Sequence, residues 1–511
     1  MNVGSLVPRH ALYRGHATAV VCGDTRLTWR GLSSRVNRAA NVFLSLGLVK
    51  GDAIAIATPN TIELLEIYWA AAQLGLVSVP LSPLLRGSAL SVLLNDADVK
   101  AIITSAEVAG EVEKVRAELP LLPPHRHLVL GGSVPGLRSY SDAMAAVTDH
   151  EPPRADISGD DVYNIVYSSG TTGTPKGIIH THDIRAGYCT LFANAWRMTP
   201  ESVVLHAGSL VFNGAFLTLM PALFLGCTYV LQCHFDAAEF IANVERERVT
   251  HVFMVPSQIV AVLNSPAFSR ERLSSLQMLG SVGAPLHAEH KSRLTAQLPG
   301  IFHELYGLTE GVMTILDRDD VAAKGDSVGC APPFMEVKVC DEQGSEQPPG
   351  EVGEIVGRGP LLMPGYHKRP DLTALAIRNG WMFTGDMGFM DADGFLHLVD
   401  RKKDLIISGG VNVYPRDIEE VLVTHPAVLE AAVFGVPDEK WGETPLGAVV
   451  LKSGAAITAE ELKAFVNARV GARYQQVRDV AILPAFPRNA AGKVLKREMR
   501  DRYWEGHAAR I

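Results

Sequence analysis

The chain has 511 residues, a length that calls for two to four folded units at ~100–200 residues each and excludes a single small binding module. Hydrophobic residues make up 47% and charged residues 20%, ordinary globular composition that excludes a disordered chain. Lys and Arg total 47 against 55 Asp and Glu, a net charge of −8, which argues against nucleic acid or an anionic membrane surface as the main partner.

In chain order, the first ten residues, MNVGSLVPRH, carry no apolar core of the kind a signal peptide needs. Ala53–Ala57, Val77–Pro80 and Lys100–Thr104 read as strands around a helical Ile62–Leu74. This is the βαβ alternation of a parallel sheet. Val162–Val166 is strand-like, and past a Pro/Gly-punctuated stretch near residues 120–137 the alternation resumes, with Val203–Leu205, Thr228–Leu231, His251–Val255 and Gln277–Ser281 as strands of a second α/β layer. The longest apolar run, Phe212 to Leu225, is broken by Asn213 and Pro221 and falls short of the ~18 residues of a membrane span. From Val328 to Asp400, short strands between Gly, Pro and Asp-Gly turns predict a small β-rich, barrel-like unit. The charged run Arg401-Lys402-Lys403-Asp404 then marks a boundary, which divides the chain into 1–400 and a smaller α+β unit, 401–511. The six cysteines (Cys22, Cys189, Cys227, Cys233, Cys330, Cys340) show no C-x-x-C pair and no metal spacing with His, a usage that fits a reducing cytoplasm.

The segment Tyr167-Ser168-Ser169-Gly170-Thr171-Thr172-Gly173-Thr174-Pro175-Lys176-Gly177 follows a predicted strand and combines Gly, hydroxyl residues and one Lys. Gly lets backbone N–H groups fold close around an anion, so the composition is that of a phosphate loop. It is not a Walker A loop, because Pro175 stands where Gly is required and Gly177 follows Lys176. The plain alternative is a flexible Ser/Thr/Gly linker.

Together with Tyr306-Gly307-Leu308-Thr309-Glu310, Trp381-Met382-Phe383-Thr384-Gly385-Asp386, Asp400-Arg401-Lys402-Lys403-Asp404 and Pro487-Arg488-Asn489-Ala490-Ala491-Gly492-Lys493, this loop resembles the adenylate-forming superfamily. That family includes acyl-CoA synthetases, nonribosomal peptide adenylation domains and firefly-type luciferases. The motifs occur in the family's order over nearly the whole chain. The resemblance implies an α/β fold with a large ATP- and acyl-binding domain and a mobile C-terminal domain. ATP, Mg²⁺ and coenzyme A are the implied cofactors, and a small-molecule carboxylic acid the implied partner.

By resemblance, Ser168, Ser169, Gly170, Thr171, Thr172, Gly173 and Lys176 hold the phosphates. Gly283, Ala284 and Pro285 also bind the cofactor, Tyr306 gives an aromatic face to the adenine, Thr309 meets the α-phosphate, and Glu310 holds Mg²⁺, which favours hard oxygen ligands. Asp386, in a Gly-Asp turn, and Arg401 would hold the ribose. Lys493 would stand between carboxylate and α-phosphate and stabilise charge developing in the transition state. Lys403 would be the hinge. Each has a structural alternative: a Tyr-Gly turn and helix cap for Tyr306 to Glu310, a solvated helix face for Lys493 beside Lys496, Arg497 and Arg500. His180 and His182 read as structural, either capping the next helix or lying near substrate.

The acyl pocket is expected from Ser209–Phe216 and Gly280–Pro285, with Phe212, Asn213, Phe216, Val282 and Met313 as lining. The bland account of the large apolar members is core. Many relatives carry His or an aromatic residue where Asn213 stands. No Arg or Lys occurs in these segments, so an apolar acid (fatty, alicyclic or aryl) is expected and a dicarboxylate disfavoured. No Asp for an amino group lies beside Phe212, and no carrier segment follows Ile511. Both favour a free-standing acyl-CoA ligase. Ile407–Asn412, with Gly409 and Gly410 allowing close backbone approach, resembles the coenzyme A face. Delivery to a carrier protein, or a silent nucleotide-binding regulator, are the alternatives. No stable membrane insertion is expected, and a homodimer stays open.

Overall fold

The computed structural model describes residues 1–168, 176–401, 404–409, 411–489 and 493–505. Two large sheets organise the chain up to Leu316. The eight-stranded sheet runs, in spatial order, Met313–Leu316, Phe302–Gly307, Met278–Val282, His251–Met254, Val203–His206, Thr228–Leu231, Thr18–Cys22 and Thr25–Thr28. Its six inner strands are parallel and only the edges are antiparallel. The seven-stranded sheet orders Arg138–Ser139, His127–Leu130, Val99–Ser105, Ala53–Ala57, Val77–Pro80, Val162–Ser168 and Lys176–Thr181, again parallel until the last antiparallel pair.

Period-two alternation explains how these strands serve two cores. In Ala53–Ala57 every residue is buried. Ile54 and Ile56 face the largest core, between the sheets, while Ala53, Ala55 and Ala57 face the outer layer of that sheet. Helices Trp29–Ser45, Ile62–Leu74, His182–Ala195 and Phe216–Leu225 fill the space between the sheets. Helices Ala237–Glu247, Pro256–Asn264 and Ala288–Gln297 cover the outer face of the eight-stranded sheet. The two predicted α/β layers are thus one layered assembly joined by a shared helical core. No helix among the described residues is long and apolar enough to cross a membrane.

The β-rich unit has five strands, Glu336–Cys340, Gly353–Arg358, Ile377–Arg378, Trp381–Met390 and Leu396–Arg401. Its first and last strands do not pair with each other among the described residues, and it closes on Val328, Val339, Ile355 and Leu396. A last sheet is built wholly from residues 406–482. Pro415–Val423 and Ala459–Asn467 pack on one face of it and Lys496–Trp504 on the other.

The basic run before the C-terminus is not a solvated face throughout. Lys496 Nζ reaches Glu419 Oε1 at 2.6 Å, and the same oxygen accepts the Val433 N–H at 2.6 Å. Burial disfavours the Lys496 charge, but Glu419 and Asp400 outweigh it and hold its pKa above the ordinary value. A raised lysine pKa stabilises the fold at every pH below the unfolded value and ceases to do so as pH climbs through the folded one. Glu419→Ala, which strands the cation, is expected to cost about 3–5 kcal/mol. In urea unfolding, that difference from wild type should be flat up to about pH 9 and shrink above about pH 10.5. A loss under 1 kcal/mol at neutral pH, roughly that of a surface pair, would show the pair to be peripheral.

Candidate active site

Parallel strands place their carboxyl ends on one edge, and the loops leaving that edge carry the sequence motifs. In the eight-stranded sheet the register pairs Met254 with Ser281 and Val282 with Leu305. The loops after Val282 and after Gly307 therefore emerge side by side. The first holds Gly283, Ala284 and Pro285, and the second Leu308, Thr309 and Glu310. The segment Ser209–Phe216 leaves the same edge, after Val203–His206.

Thr309 and Glu310 do not cap a helix. They form a tight turn between the antiparallel strands Phe302–Gly307 and Met313–Leu316, closed by Leu308 N–H to Val312 O at 2.9 Å and Gly311 N–H to Leu308 O at 3.0 Å. Gly311 has φ +110°, and a methyl built on it would lie 2.1 Å from Leu361 O, so only glycine fits. The Glu310 Oε1 accepts from the Tyr366 hydroxyl at 2.9 Å, and Lys176 Nζ lies 5.4 Å from the Tyr366 ring centre. Burial pushes the Glu310 carboxyl up, with a further push from Asp386. Its own backbone N–H, Tyr366 and Lys176 pull the other way. Two carboxylates that disfavour each other's charge suit a hard divalent cation.

Asp386 lies inside the long strand Trp381–Met390 rather than in a turn. It accepts from the Tyr306 hydroxyl at 2.9 Å, and the ladder pairs it with Arg401. The two residues expected at the sugar are thus neighbours across a β-hairpin, 15 positions apart in the sequence. The phosphate-loop strand Val162–Ser168 turns back on itself, with Ser168 opposite Lys176. The segment is followed by the antiparallel strand Lys176–Thr181 and not by the helix that follows a Walker A loop. Ser169, Gly170, Thr171, Thr172 and Gly173 lie outside the described residues, as do Lys403, Gly410 and the Arg401 side chain.

Lys493 is brought to this edge from the far end of the chain. Its backbone N–H donates to Asn489 Oδ1 at 2.9 Å. A methyl built on Gly283, whose φ is +93°, would lie 3.7 Å from Lys493 Cε. The adjoining contact is a hydrogen bond, His287 Nδ1 to Glu420 Oε1 at 3.1 Å, with the Ala288 N–H on the other oxygen at 3.3 Å. Gly409, with φ +60°, is approached by the Trp441 ring, which would stand 2.6 Å from an added methyl.

Of the expected pocket residues, Phe212, Asn213 and Val282 are half-buried, whereas Phe216 and Met313 are wholly in the core. Gly214 faces Val282, whose Cγ1 would be 3.8 Å from a methyl there. The segments themselves hold no basic residue, yet the fold presses Arg185 against them. Its NH1 donates to Asn213 Oδ1 at 2.9 Å, its Nε and NH2 to Asn164 Oδ1, and NH2 to His180 Nδ1 at 3.3 Å. Its guanidinium is 4.0 Å from the Phe216 ring centre and 4.9 Å from that of Tyr188. Arginine only donates, so His180 Nδ1 is the acceptor and its Nε2 carries the proton to Thr309 O, 2.8 Å away. Burial and Arg185 keep that imidazole neutral, well below its ordinary pKa. Thr181, not a histidine, caps the following helix, while His182 accepts the Val3 N–H at 3.4 Å. Arg185 escaped sequence reading, but a signal was present. It heads the buried stripe Arg185-Tyr188-Cys189-Phe192-Trp196, where a charged residue is out of place.

The model of the AMP-binding enzyme family matches residues 7–367, and that of the AMP-binding enzyme C-terminal domain residues 417–493. This chain belongs to the AMP-binding enzymes, within the adenylate-forming superfamily. It is similar to a feruloyl-CoA synthase of Amycolatopsis sp, 37% identical over 98% of this chain and 99% of that one. It is also similar to the long-chain-fatty-acid–CoA ligase FadD13 of Mycobacterium tuberculosis, 33% identical over 98% of each. Among solved structures, ATP-bound MatB from Rhodopseudomonas palustris superposes at a TM-score of 0.88, with 30% identity over 98% of this chain and 99% of that one.

In this AMP-binding enzyme the Tyr366 hydroxyl favours the ionised Glu310. Tyr366→Phe should therefore raise the Glu310 pKa and move the acid limb of the pH–rate profile upward, by about one pH unit for a hydrogen bond to a charged group. An unmoved acid limb would remove Glu310 from the rate-determining ionisations.

Proposed function

We propose that the chain is an AMP-forming acyl-CoA ligase. A carboxylate oxygen attacks the α-phosphorus of ATP and pyrophosphate leaves. The thiol sulfur of coenzyme A then attacks the acyl carbon, a thioester forms and AMP leaves. The observation that carries this reading is Lys493 lying against Gly283, on the edge where the Thr309 turn and the Asn213 segment also emerge. A cation there neutralises the approach of two anions, the chief obstacle to the first step.

The other roles follow from position. Thr309 meets the α-phosphate, Tyr306 and the loop Gly283-Ala284-Pro285 border the base, and Asp386 with Arg401 holds the ribose. Ser168 to Gly173 and Lys176 take the β- and γ-phosphates. Glu310 would hold Mg²⁺, which when bound neutralises phosphate charge. Glu310 itself contributes a carboxylate kept in place by Tyr366. Coenzyme A would approach the smaller unit near Gly409 and Gly410, beside Trp441, with the boundary at residue 400 and Lys403 as pivot. The names of the relatives, a feruloyl-CoA synthase and a long-chain-fatty-acid–CoA ligase, support an apolar aryl or fatty acid. All six cysteines are free, which supports a reducing, cytoplasmic setting.

Pyrophosphate release over a panel of cinnamates, benzoates and fatty acids, each with and without coenzyme A, tests the reading directly. The expected result is acid-dependent release with thioester formed only when coenzyme A is present; release without thioester would point to another acceptor. Lys493→Ala should lower pyrophosphate exchange by about 10²–10³-fold, the cost of losing one preorganised electrostatic contact. The same variant should still convert a supplied acyl-adenylate to thioester. Equal loss in both half-reactions would place Lys493 outside a role confined to adenylation.

A further inference from the structure

Arg185 carries a charge that the fold does not balance. Its side chain is fully buried, and among the described residues no carboxylate pairs with it. Its hydrogen-bond acceptors are two amide oxygens and an imidazole, all neutral, and its stacking partners are rings. A buried charge without an ion partner is retained at a cost, and aromatic faces recover only part of it.

The surroundings give this charge a single outlet. Asn164, His180, Tyr163, Tyr188 and Phe216 are all fully buried, and Asn213 alone of the groups around the guanidinium is half-exposed. The orientation of the Asn213 amide is also fixed. Arg185 donates to Oδ1, so Nδ2 is the donor end, and one of its two hydrogens goes to the Tyr188 hydroxyl at 3.2 Å. The second hydrogen meets no acceptor among the described residues, and Asn213 itself is half-exposed. Gly214, next in the chain, abuts Val282, and Val282 adjoins the Gly283 against which Lys493 lies.

We propose that Arg185 is a positioning residue for the acid: acting through Asn213, it presents an amide donor backed by a buried positive charge to the carboxylate that is activated. This rests on the ligase reading above. The substrate's carboxylate is then the counter-charge that the protein itself withholds. Arg185 does not touch the acid, and its effect is on capture of the acid rather than on the nucleotide. Its other bond, through His180 to Thr309 O, leads to the nucleotide side, so the two routes predict different kinetics.

The test uses the full chain and steady-state pyrophosphate release, with KM measured separately for the best acid of the panel and for ATP. Arg185→Met should raise KM for the acid by about tenfold or more, one charge-backed hydrogen bond, while KM for ATP stays within about twofold. Arg185→Lys should recover much of the loss. Asn213→Asp supplies the missing carboxylate from the protein, so it should raise the melting temperature and also raise KM for the acid, because its own charge occupies the anion's place. This variant keeps Arg185 and decides the matter if Arg185→Met does not fold. Unchanged KM for the acid in the folded variants, or a rise in KM for ATP as large as that for the acid, overturns the inference while leaving the ligase reading intact. Absence of acid-dependent release by the wild-type chain with every acid overturns the ligase reading and this inference with it.

Discussion

Everything that can act on a ligand in this protein hangs from the register of parallel strands. Because His251–Met254, Met278–Val282 and Phe302–Gly307 run the same way and stay in step, the loops that follow them open on one edge. A parallel ladder has to be covered on both faces, and here helices do so. That cover leaves the strand ends as the place where unpaired backbone groups and polar side chains can meet a ligand. Shift Met278–Val282 by two residues against its neighbours and Gly283 no longer stands beside the Thr309 turn.

Onto that edge the fold brings cations from distant parts of the chain. Lys176 arrives on the return strand of a hairpin, and Lys493 on a turn that bridges Arg488 to Val494. Arg185 arrives on a helix packed between the sheets. Net charge is negative overall, so the local excess is a product of folding, and it suits a site where a nucleotide and an acid, both anionic, must be held close together. The carboxylates that are present, Glu310 and Asp386, are each bonded to a tyrosine hydroxyl. Each also raises the cost of the other's charge.

The unit after residue 404 is tied to the larger one by few polar contacts that water and salt can replace. Glu420 spans to His287 and Ala288, and Arg416 reaches Asp400 and Leu398 O. Its own interior is by contrast two apolar clusters, one on each face of the sheet, with the Lys496–Glu419 pair buried between elements.

Periodicity in the sequence was enough for the strands and helices that matter most, because Ala53–Ala57, Ile62–Leu74 and Thr228–Leu231 alternate or repeat at the spacing their burial demands. The motifs, in order, were enough for the class of chemistry. Other features depend on what folds next to what, and local pattern is blind to that. Tyr306 to Glu310 read equally as a helix cap, and only the return of Met313–Leu316 alongside made them a strand turn. Asp386 read as a turn residue because Gly385 precedes it, whereas the strand runs through both, its register against Gly353–Arg358 shifting between Phe383 and Met387. Phe216 and Met313 could not be divided between pocket and core by hydrophobicity, since both destinations are apolar. Arg185 is the clearest case: 28 positions separate it from Asn213, and only the packing of its helix against the Ser209–Phe216 segment brings this charge on an apolar stripe to the Asn213 amide. The sequence by itself determined the elements and the chemistry of the motifs, through local periodicity and residue type. The tertiary structure alone decided which charges share a low-dielectric interior, because electrostatic coupling depends on distance in space.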